Sequence, residues 1–169
     1  SEMEQIQQSG EENAGGIAAL GKALVFLQRI GLDLIREEEQ VLTIRALRNL
    51  SKVQGLRIYG IKNPDSPGFA QKGGVIVFSL EKIYSNVVAG KLAEQGGIGI
   101  RYGCHCSHIL IKHLVDVGPF LAQFQRVMAT LLPAIKFPGL ARISLGIENT
   151  ESDIDTLIGA LNKIAAQPE

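Results

Sequence analysis

The sequence predicts an α+β fold, with a small, mostly antiparallel sheet covered on one face by helices. Apolar residues recur at helical spacing in the first 50 residues and again near the C-terminal end, and short alternating or β-branched segments lie between them. The composition is that of a folded protein, because 46% of the 169 residues are hydrophobic and 20% are charged. A chain of this length can bury one core.

Two helices are predicted at the start of the chain. The first follows from apolar residues at helical spacing, namely Ile17, Leu20, Leu24 and Leu27, and Gly31 is its expected C-cap. The second covers residues 34–53, with an acidic run at 37–39 early and basic residues late, as the helix dipole favours. This order indicates that the acidic run is a solvated face and not a metal site.

Strands and a third helix are predicted in the middle of the chain. Residues 56–59 and 75–78 have the composition of strands, and residues 63–74 between them are rich in proline and glycine and predict a loop. Residues 86–95 predict a helix that stops at the glycine pair 96–97.

The second half of the chain repeats this alternation. Residues 98–100 predict a short strand, residues 120–131 carry a helical apolar stripe, and residues 142–147 alternate as a strand does. Thr150 is the expected N-cap of the last helix, and Asp153 stands where a capping box places its acid.

Charge and composition exclude several classes of partner. Lysine plus arginine equals aspartate plus glutamate at 17 each, so no net field attracts a phosphate backbone or an anionic membrane. We therefore expect no nucleic-acid partner and no membrane association. Residues 1–10 are polar and unlike a signal peptide, which predicts a cytoplasmic location and reduced cysteines.

One segment concentrates the reactive side chains. Both cysteines and all three histidines fall within ten residues: Cys104, His105, Cys106, His108 and His113. Thiols and imidazoles are the groups that most readily act as nucleophiles, proton carriers and metal ligands near neutral pH. The sequence therefore places the candidate functional site here.

Several chemistries compete for this segment. Its ligand types suit zinc, but structural zinc sites draw their second ligand pair from a separate element, and the order of residues is wrong for haem attachment. A cysteine on a loop after a strand, beside His105 and Arg101, suits a nucleophile whose thiolate is favoured by positive charge. A buried, inert cysteine is the alternative. His108 and His113 fit surface or packing positions on a following helix.

The same segment resembles a known signature. Residues 97–106, which read GIGIRYGCHC, resemble the Arg-x-Gly-x-His-Cys motif of cysteine desulfurases and selenocysteine lyases. Residues 13–23 resemble the helix that follows the cofactor domain of that family, and residues 38–60 resemble the long helix and first strand of its C-terminal domain. Residues 141–145 and the last helix resemble its closing strand and helix. The resemblance implies the small C-terminal domain of a class V aminotransferase-like enzyme of fold type I, dependent on pyridoxal phosphate.

The resemblance also implies residue roles. Cys106 corresponds to the nucleophile that takes sulfur from the amino-acid substrate as a persulfide, and Arg142 corresponds to the arginine that binds the substrate α-carboxylate. Arg101 and His105 are expected to line the same site. The lysine that forms the Schiff base with the cofactor has no counterpart among the lysines of this chain, so the chain alone is expected to be inactive. The resemblance assigns no cofactor-binding residue and no metal ligand here.

The domain organisation expected from the resemblance has three parts. Residues 1–12 correspond to the boundary of a missing N-terminal cofactor domain, residues 13–169 to the small domain, and about 117–137 to a helical insertion within it. Glu11 and Glu12 stand where the family has a turn that contacts the cofactor phosphate.

Partners follow from the same comparison. A homodimer, a sulfur-acceptor protein and self-association of this chain are expected. Two other functions stay open: a related aminotransferase-like enzyme that acts on another amino acid, and a non-catalytic domain that binds a metal or a partner.

Overall fold

The chain divides into two compact units, Ser1–Glu37 and Glu38–Glu169. The computed structural model describes Met3, residues 13–114 and residues 139–167. The helical stripe predicted at 120–131 and the insertion predicted at 117–137 lie outside the described residues.

Helix α1, Ala14–Ile30, belongs to the first unit. Asn13 caps its start, since its side-chain oxygen accepts a hydrogen bond from the Gly16 N–H at 2.8 Å. Gly31 ends the helix with a φ of 100° and donates to the Leu27 carbonyl at 3.0 Å, so the predicted helix and its cap are confirmed. None of the residues of α1 is buried, and its apolar side chains are largely exposed.

The remaining elements follow in chain order. They are α2 (Leu32–Leu50), β1 (Leu56–Tyr59), a 3-10 helix (Pro67–Gln71), β2 (Val75–Leu80), α3 (Ser85–Gly96), β3 (Arg101–Gly103), α4 (His108–Leu114), β4 (Leu140–Ser144) and α5 (Glu151–Ala166). The predicted helix at 34–53 and the predicted strands at 56–59 and 75–78 correspond to α2, β1 and β2. The predicted helix at 86–95 corresponds to α3, and Gly97 is its left-handed C-cap.

The four strands form one antiparallel sheet in the order β1-β2-β4-β3. At its centre, Phe78 of β2 lies opposite Ala141 of β4, and Ile76 lies opposite Ile143. The predicted fold class, α+β with a small antiparallel sheet, is confirmed.

The core lies between one face of this sheet and helices α2, α3 and α5. Its fully buried large side chains come from the sheet and from all three helices: Ile76, Phe78, Leu47, Leu50, Leu92, Ile154, Leu161 and Ile164. Because side chains alternate along a strand, the opposite face carries another set, which includes Arg57, Tyr59, Val77, Ser79 and Arg142. Each large apolar side chain that is buried contributes about 1.5–3 kcal/mol, so stability is concentrated on the helical face.

An ion pair joins α2 to α5 at the surface. The Arg45 guanidinium donates to both carboxylate oxygens of Asp155 at 3.0 and 2.7 Å, and it lies 2.8 Å from Glu151. The hydrogen bonds from Arg45 lower the pKa of Asp155.

The predicted start of α5 is confirmed. The Thr150 hydroxyl accepts from the Asp153 N–H at 3.4 Å, and the Asp153 carboxylate accepts from the Thr150 N–H at 2.8 Å. The hydrogen bond from the Thr150 backbone lowers the pKa of Asp153.

Two predicted strand boundaries were wrong, and one predicted loop contains a short helix. The strand predicted at 98–100 begins instead at Arg101, because pairing with β4 starts there, and the half-buried side chains of residues 98 and 100 pack against the core. The strand predicted at 142–147 covers Leu140–Ser144, since its pairing begins earlier and the Gly146 N–H donates to the Asn149 side chain at 2.7 Å. The loop predicted at 63–74 contains the 3-10 helix, which Pro67 starts.

Candidate functional site

Two of the predicted site residues face each other at the edge of the sheet. The register of β3 and β4 places Arg101 directly opposite Arg142. Side chains of directly opposite residues lie on the same face, with Cβ atoms about 4.5–5.5 Å apart. Val77 of β2 lies opposite Arg142 on its other side, so both guanidinium side chains belong to the face that the helices leave open.

Arg142 is half-buried and its Nε atom has no hydrogen-bond partner in the described part of the chain. A buried donor without a partner is destabilising, and the cost is larger for a charged group. A carboxylate satisfies a guanidinium through two parallel hydrogen bonds. Arg101 is exposed and adds a second positive charge, so the pair suits an anionic ligand.

Cys106 lies on a tight turn that follows β3. The Ser107 N–H donates to the Cys104 carbonyl at 2.7 Å, and the two central residues, His105 and Cys106, have φ values of 49° and 59°. Positive φ at both central positions defines a type I′ turn, which favours glycine and asparagine. Histidine and cysteine hold this conformation at a cost of about 1–3 kcal/mol each. The turn exposes Cys106 and leaves Cys104 half-buried.

The ring of His105 anchors this turn to the neighbouring strand. Its Nε2 atom lies 3.0 Å from the Leu140 carbonyl oxygen. A carbonyl only accepts hydrogen bonds, so Nε2 carries a proton and Nδ1 is left for other partners. This contact holds His105 against β4, while its place in the site and its role in handling protons at the thiol stay predictions.

Two glycines make the approach of β3 to β4 possible. A β-carbon added to Gly139 would lie 2.5 Å from the Gly103 Cα, closer than real β-carbons approach another atom. Gly103 itself has a φ of 116°, a conformation in which other residues are strained. The sequence reasoning missed Gly139, and the only signal for it was a glycine immediately before a strand.

A shallow hollow of about 600 Å³ adjoins the thiol. Cys106, Ser107 and three residues of α4, namely Ile109, Leu110 and His113, line it. His113 is exposed on the helix, as predicted. In residues 13–114 and 139–167, no three Cys, His, Asp or Glu side chains are grouped so that they could hold a metal ion. Within the same residues, no helix is long and apolar enough to cross a membrane.

The comparison with protein families identifies the class of this chain. Residues 2–157 match the model of the class-V aminotransferases, so the chain belongs to that family. Cysteine desulfurases are among its curated relatives. A cysteine desulfurase of Klebsiella pneumoniae strain 342 is 32% identical over 157 residues, which are 93% of this chain and 31% of the relative. A probable cysteine desulfurase of Staphylococcus aureus strain Mu50 is 35% identical over 144 residues, 85% of this chain and 28% of the relative.

Solved structures agree on the fold. A cysteine desulfurase from Escherichia coli superposes with a TM-score of 0.68 at 23% identity and covers 91% of this chain and 31% of its own. The apo cysteine desulfurase of Thermococcus onnurineus NA1 gives a TM-score of 0.70 at 23% identity, with 93% and 32% covered. The chain thus spans about a third of the length of the proteins that it matches. The predicted family and fold are confirmed.

Proposed function

We propose that this chain supplies the nucleophilic thiol and the carboxylate-binding arginine of a pyridoxal-phosphate-dependent cysteine desulfurase. The observation that carries the proposal is the edge of the sheet, where the exposed Cys106 follows a strand that pairs Arg101 with Arg142. Membership of the class-V aminotransferase family and the similarity to cysteine desulfurases support it.

Substrate binding is assigned to the arginine pair. Arg142 has a buried, unpartnered Nε atom, so a substrate α-carboxylate that accepts from it removes an unpaired donor as well as gaining two hydrogen bonds. Arg101 adds positive charge beside that carboxylate from the opposite strand. A planar guanidinium also fixes the orientation of the carboxylate, which a lysine does not.

The residues of the site suit binding of the amino-acid substrate, but none of them can form the covalent link to the cofactor. The site offers two guanidiniums, an imidazole and two thiols, and none of these residues is a lysine. Pyridoxal phosphate, when bound, supplies the electron sink for cleavage of the carbon–sulfur bond. Its lysine is expected in the part of the relatives that this chain does not span, so we expect the 169 residues alone to be inactive.

The sulfur step is assigned to Cys106. Its thiolate forms a bond to the sulfur of the bound cysteine as the carbon–sulfur bond breaks, which leaves a persulfide on Cys106. The carbon that loses sulfur takes up a proton and the product is alanine. The type I′ turn holds the thiol out in solvent, where a substrate sulfur and later an acceptor can reach it. A homodimer, a sulfur-acceptor protein and a cytoplasmic location belong to this proposal.

The test uses the complete protein with its cofactor and L-cysteine. Cys106→Ala should lower alanine formation by at least about a hundredfold, because the nucleophile is removed. The matched control, Cys104→Ala, removes the half-buried thiol of the same turn and should leave most of the activity. Arg142→Lys should raise KM about tenfold or more, since the bidentate contact is lost.

The absorption spectrum separates binding from chemistry. A Cys106→Ala protein whose spectrum still shifts with L-cysteine has lost sulfur transfer alone. Undiminished alanine formation by Cys106→Ala would contradict the proposal. It would favour the alternative that the site serves an aminotransferase-like reaction on another amino acid, for which no cysteine nucleophile is needed.

A further inference from the structure

We propose that a cleft at the start of α3 binds a small organic anion with an apolar body. The cleft has a volume of about 370 Å³ and lies between the end of β1, the turn from β2 into α3, and the start of β4. None of Cys106, Arg101 and Arg142 lines it. The inference therefore does not depend on the proposed desulfurase activity.

The rim of the cleft is positively charged. Arg57 and Lys82 line it, and the lining residues that the structure describes include no aspartate or glutamate. Arg57 is held in place, because its guanidinium lies 5.1 Å from the centre of the Tyr59 ring, and the Tyr59 hydroxyl is 3.1 Å from the Ser79 hydroxyl. Two cations on one rim create a local field that attracts an anion.

The N-terminus of α3 opens into the same space. This helix has 12 residues, and the residue at its N-cap position, Tyr84, gives no side-chain hydrogen bond to the first turn. Its first N–H groups therefore carry partial positive charge and suit an anion.

The hydroxyl of Ser85 gives a second, independent indication of a ligand. Ser85 is only 8% exposed and lines the cleft, yet its hydroxyl has no hydrogen-bond partner in the described part of the chain. In the described part of the chain its oxygen is not among the wholly buried, unpartnered side-chain atoms, so it faces the open space of the cleft. An anionic oxygen in the cleft would accept from this hydroxyl and from the helix N–H groups together.

The floor of the cleft is apolar. Leu80, Val88 and Leu140 line it and are buried, and a cleft with an apolar floor and few polar groups is typical of small-molecule sites. This combination predicts a ligand whose charged end meets Lys82 and Ser85 and whose apolar body lies on the floor.

The test is a titration of the 169-residue chain with phenyl phosphate, benzoate and inorganic phosphate, followed by NMR of the backbone amides. We expect saturable shifts at Ser85 and Asn86 with phenyl phosphate or benzoate, and weaker binding of inorganic phosphate. Lys82→Gln should weaken binding about tenfold and Ser85→Ala several-fold. Ser85→Ala leaves the net charge unchanged and places a good helix former in the first turn. The matched charge control is Lys62→Gln, an exposed lysine that does not line the cleft.

Each outcome decides a part of the inference. Binding of phenyl phosphate alone identifies phosphate esters as the ligand class, and binding of benzoate alone identifies carboxylates. Equal affinity for inorganic phosphate and phenyl phosphate would overturn the apolar part of the site. The inference fails if no probe saturates, or if Lys62→Gln weakens binding as much as Lys82→Gln does.

Discussion

At the centre of the sheet, β2 and β4 pair over four residues and hold Phe78 and Ile76 wholly out of water, whereas at the edge β3 pairs over three residues, two of them exposed. The centre uses regular strands and apolar side chains. The edge combines two opposed arginines with two non-glycine residues of positive φ. The two regions differ in what they contribute to the free energy of folding. Burial of apolar side chains at the centre stabilises the fold, and this offsets the destabilising effect of the exposed, strained and charged groups at the edge.

The largest expected loss of stability comes from disrupting the core that covers the centre of the sheet. Leu47→Ala should lower the free energy of unfolding by about 2–5 kcal/mol, because the side chain is fully buried among the core residues. The control is Leu34→Ala in the same helix, where the side chain is 51% exposed and the change should stay within about 0.5 kcal/mol. Urea unfolding measures both, and equal losses would contradict the location of the core.

Disturbing the pairing of β3 with β4 at the edge should cause an intermediate loss of stability. Gly139→Ala forces a β-carbon against the Gly103 backbone, and we expect a loss of about 1–3 kcal/mol as β3 moves away. Hydrogen exchange should then rise in β3 before it rises in β2. Gly90→Ala is the control, since its β-carbon meets nothing within 4 Å on helix α3 and should stabilise by about 0.5–1 kcal/mol. If β2 and β3 lost protection together, the edge would not be a separate region.

The cap of α5 allows a smaller and sharper test of the helical layer. Thr150→Ala removes one half of the capping box and should cost about 1 kcal/mol. Thr156→Ala, at an exposed position inside the same helix, should change stability by less than about 0.5 kcal/mol. Thermal unfolding compares the two, and a Thr156 variant as damaged as the Thr150 variant would argue against the cap.

The smallest effect is expected for the exposed ion pair of Arg45 and Asp155. Since the pKa of Asp155 is lowered in the folded chain, its contribution is present above the unfolded carboxyl pKa of about 3.9 and disappears as the pH falls through the folded value. A double-mutant cycle with Arg45→Met and Asp155→Asn should show favourable coupling at pH 7 that vanishes in acid. Coupling that persists at low pH would contradict the carboxylate as its source.

Much of the fold followed from local sequence patterns. The caps Gly31, Gly97 and Thr150 ended or began helices where their chemistry predicted, since capping depends on neighbouring residues alone. The boundaries of β3 and β4 could not be predicted in this way. Pairing between strands set them, and the pairing partner of Arg101 is Arg142, which lies far along the chain.

The same limit applies to the site. The cluster of thiols and imidazoles pointed to the segment that holds Cys106. The family resemblance then pointed to Cys106, Arg142, His105 and Arg101. The contact of His105 with the Leu140 carbonyl and the close approach of Gly139 to Gly103 join residues about 35 positions apart. No periodicity or motif encodes such contacts, because they arise from the register of two strands.

The opposed arginines have a further consequence for the strand that carries one of them. Like charges directly across a ladder are destabilising, so the edge holds a repulsion that the carboxylate of the proposed substrate would relieve as a counterion. On that proposal, uptake of the anion and pairing of β3 with β4 would be linked equilibria, in which each promotes the other. The affinity of the proposed site would therefore contain part of the folding free energy of an edge strand, and a change that loosens this strand would weaken binding without touching the ligand.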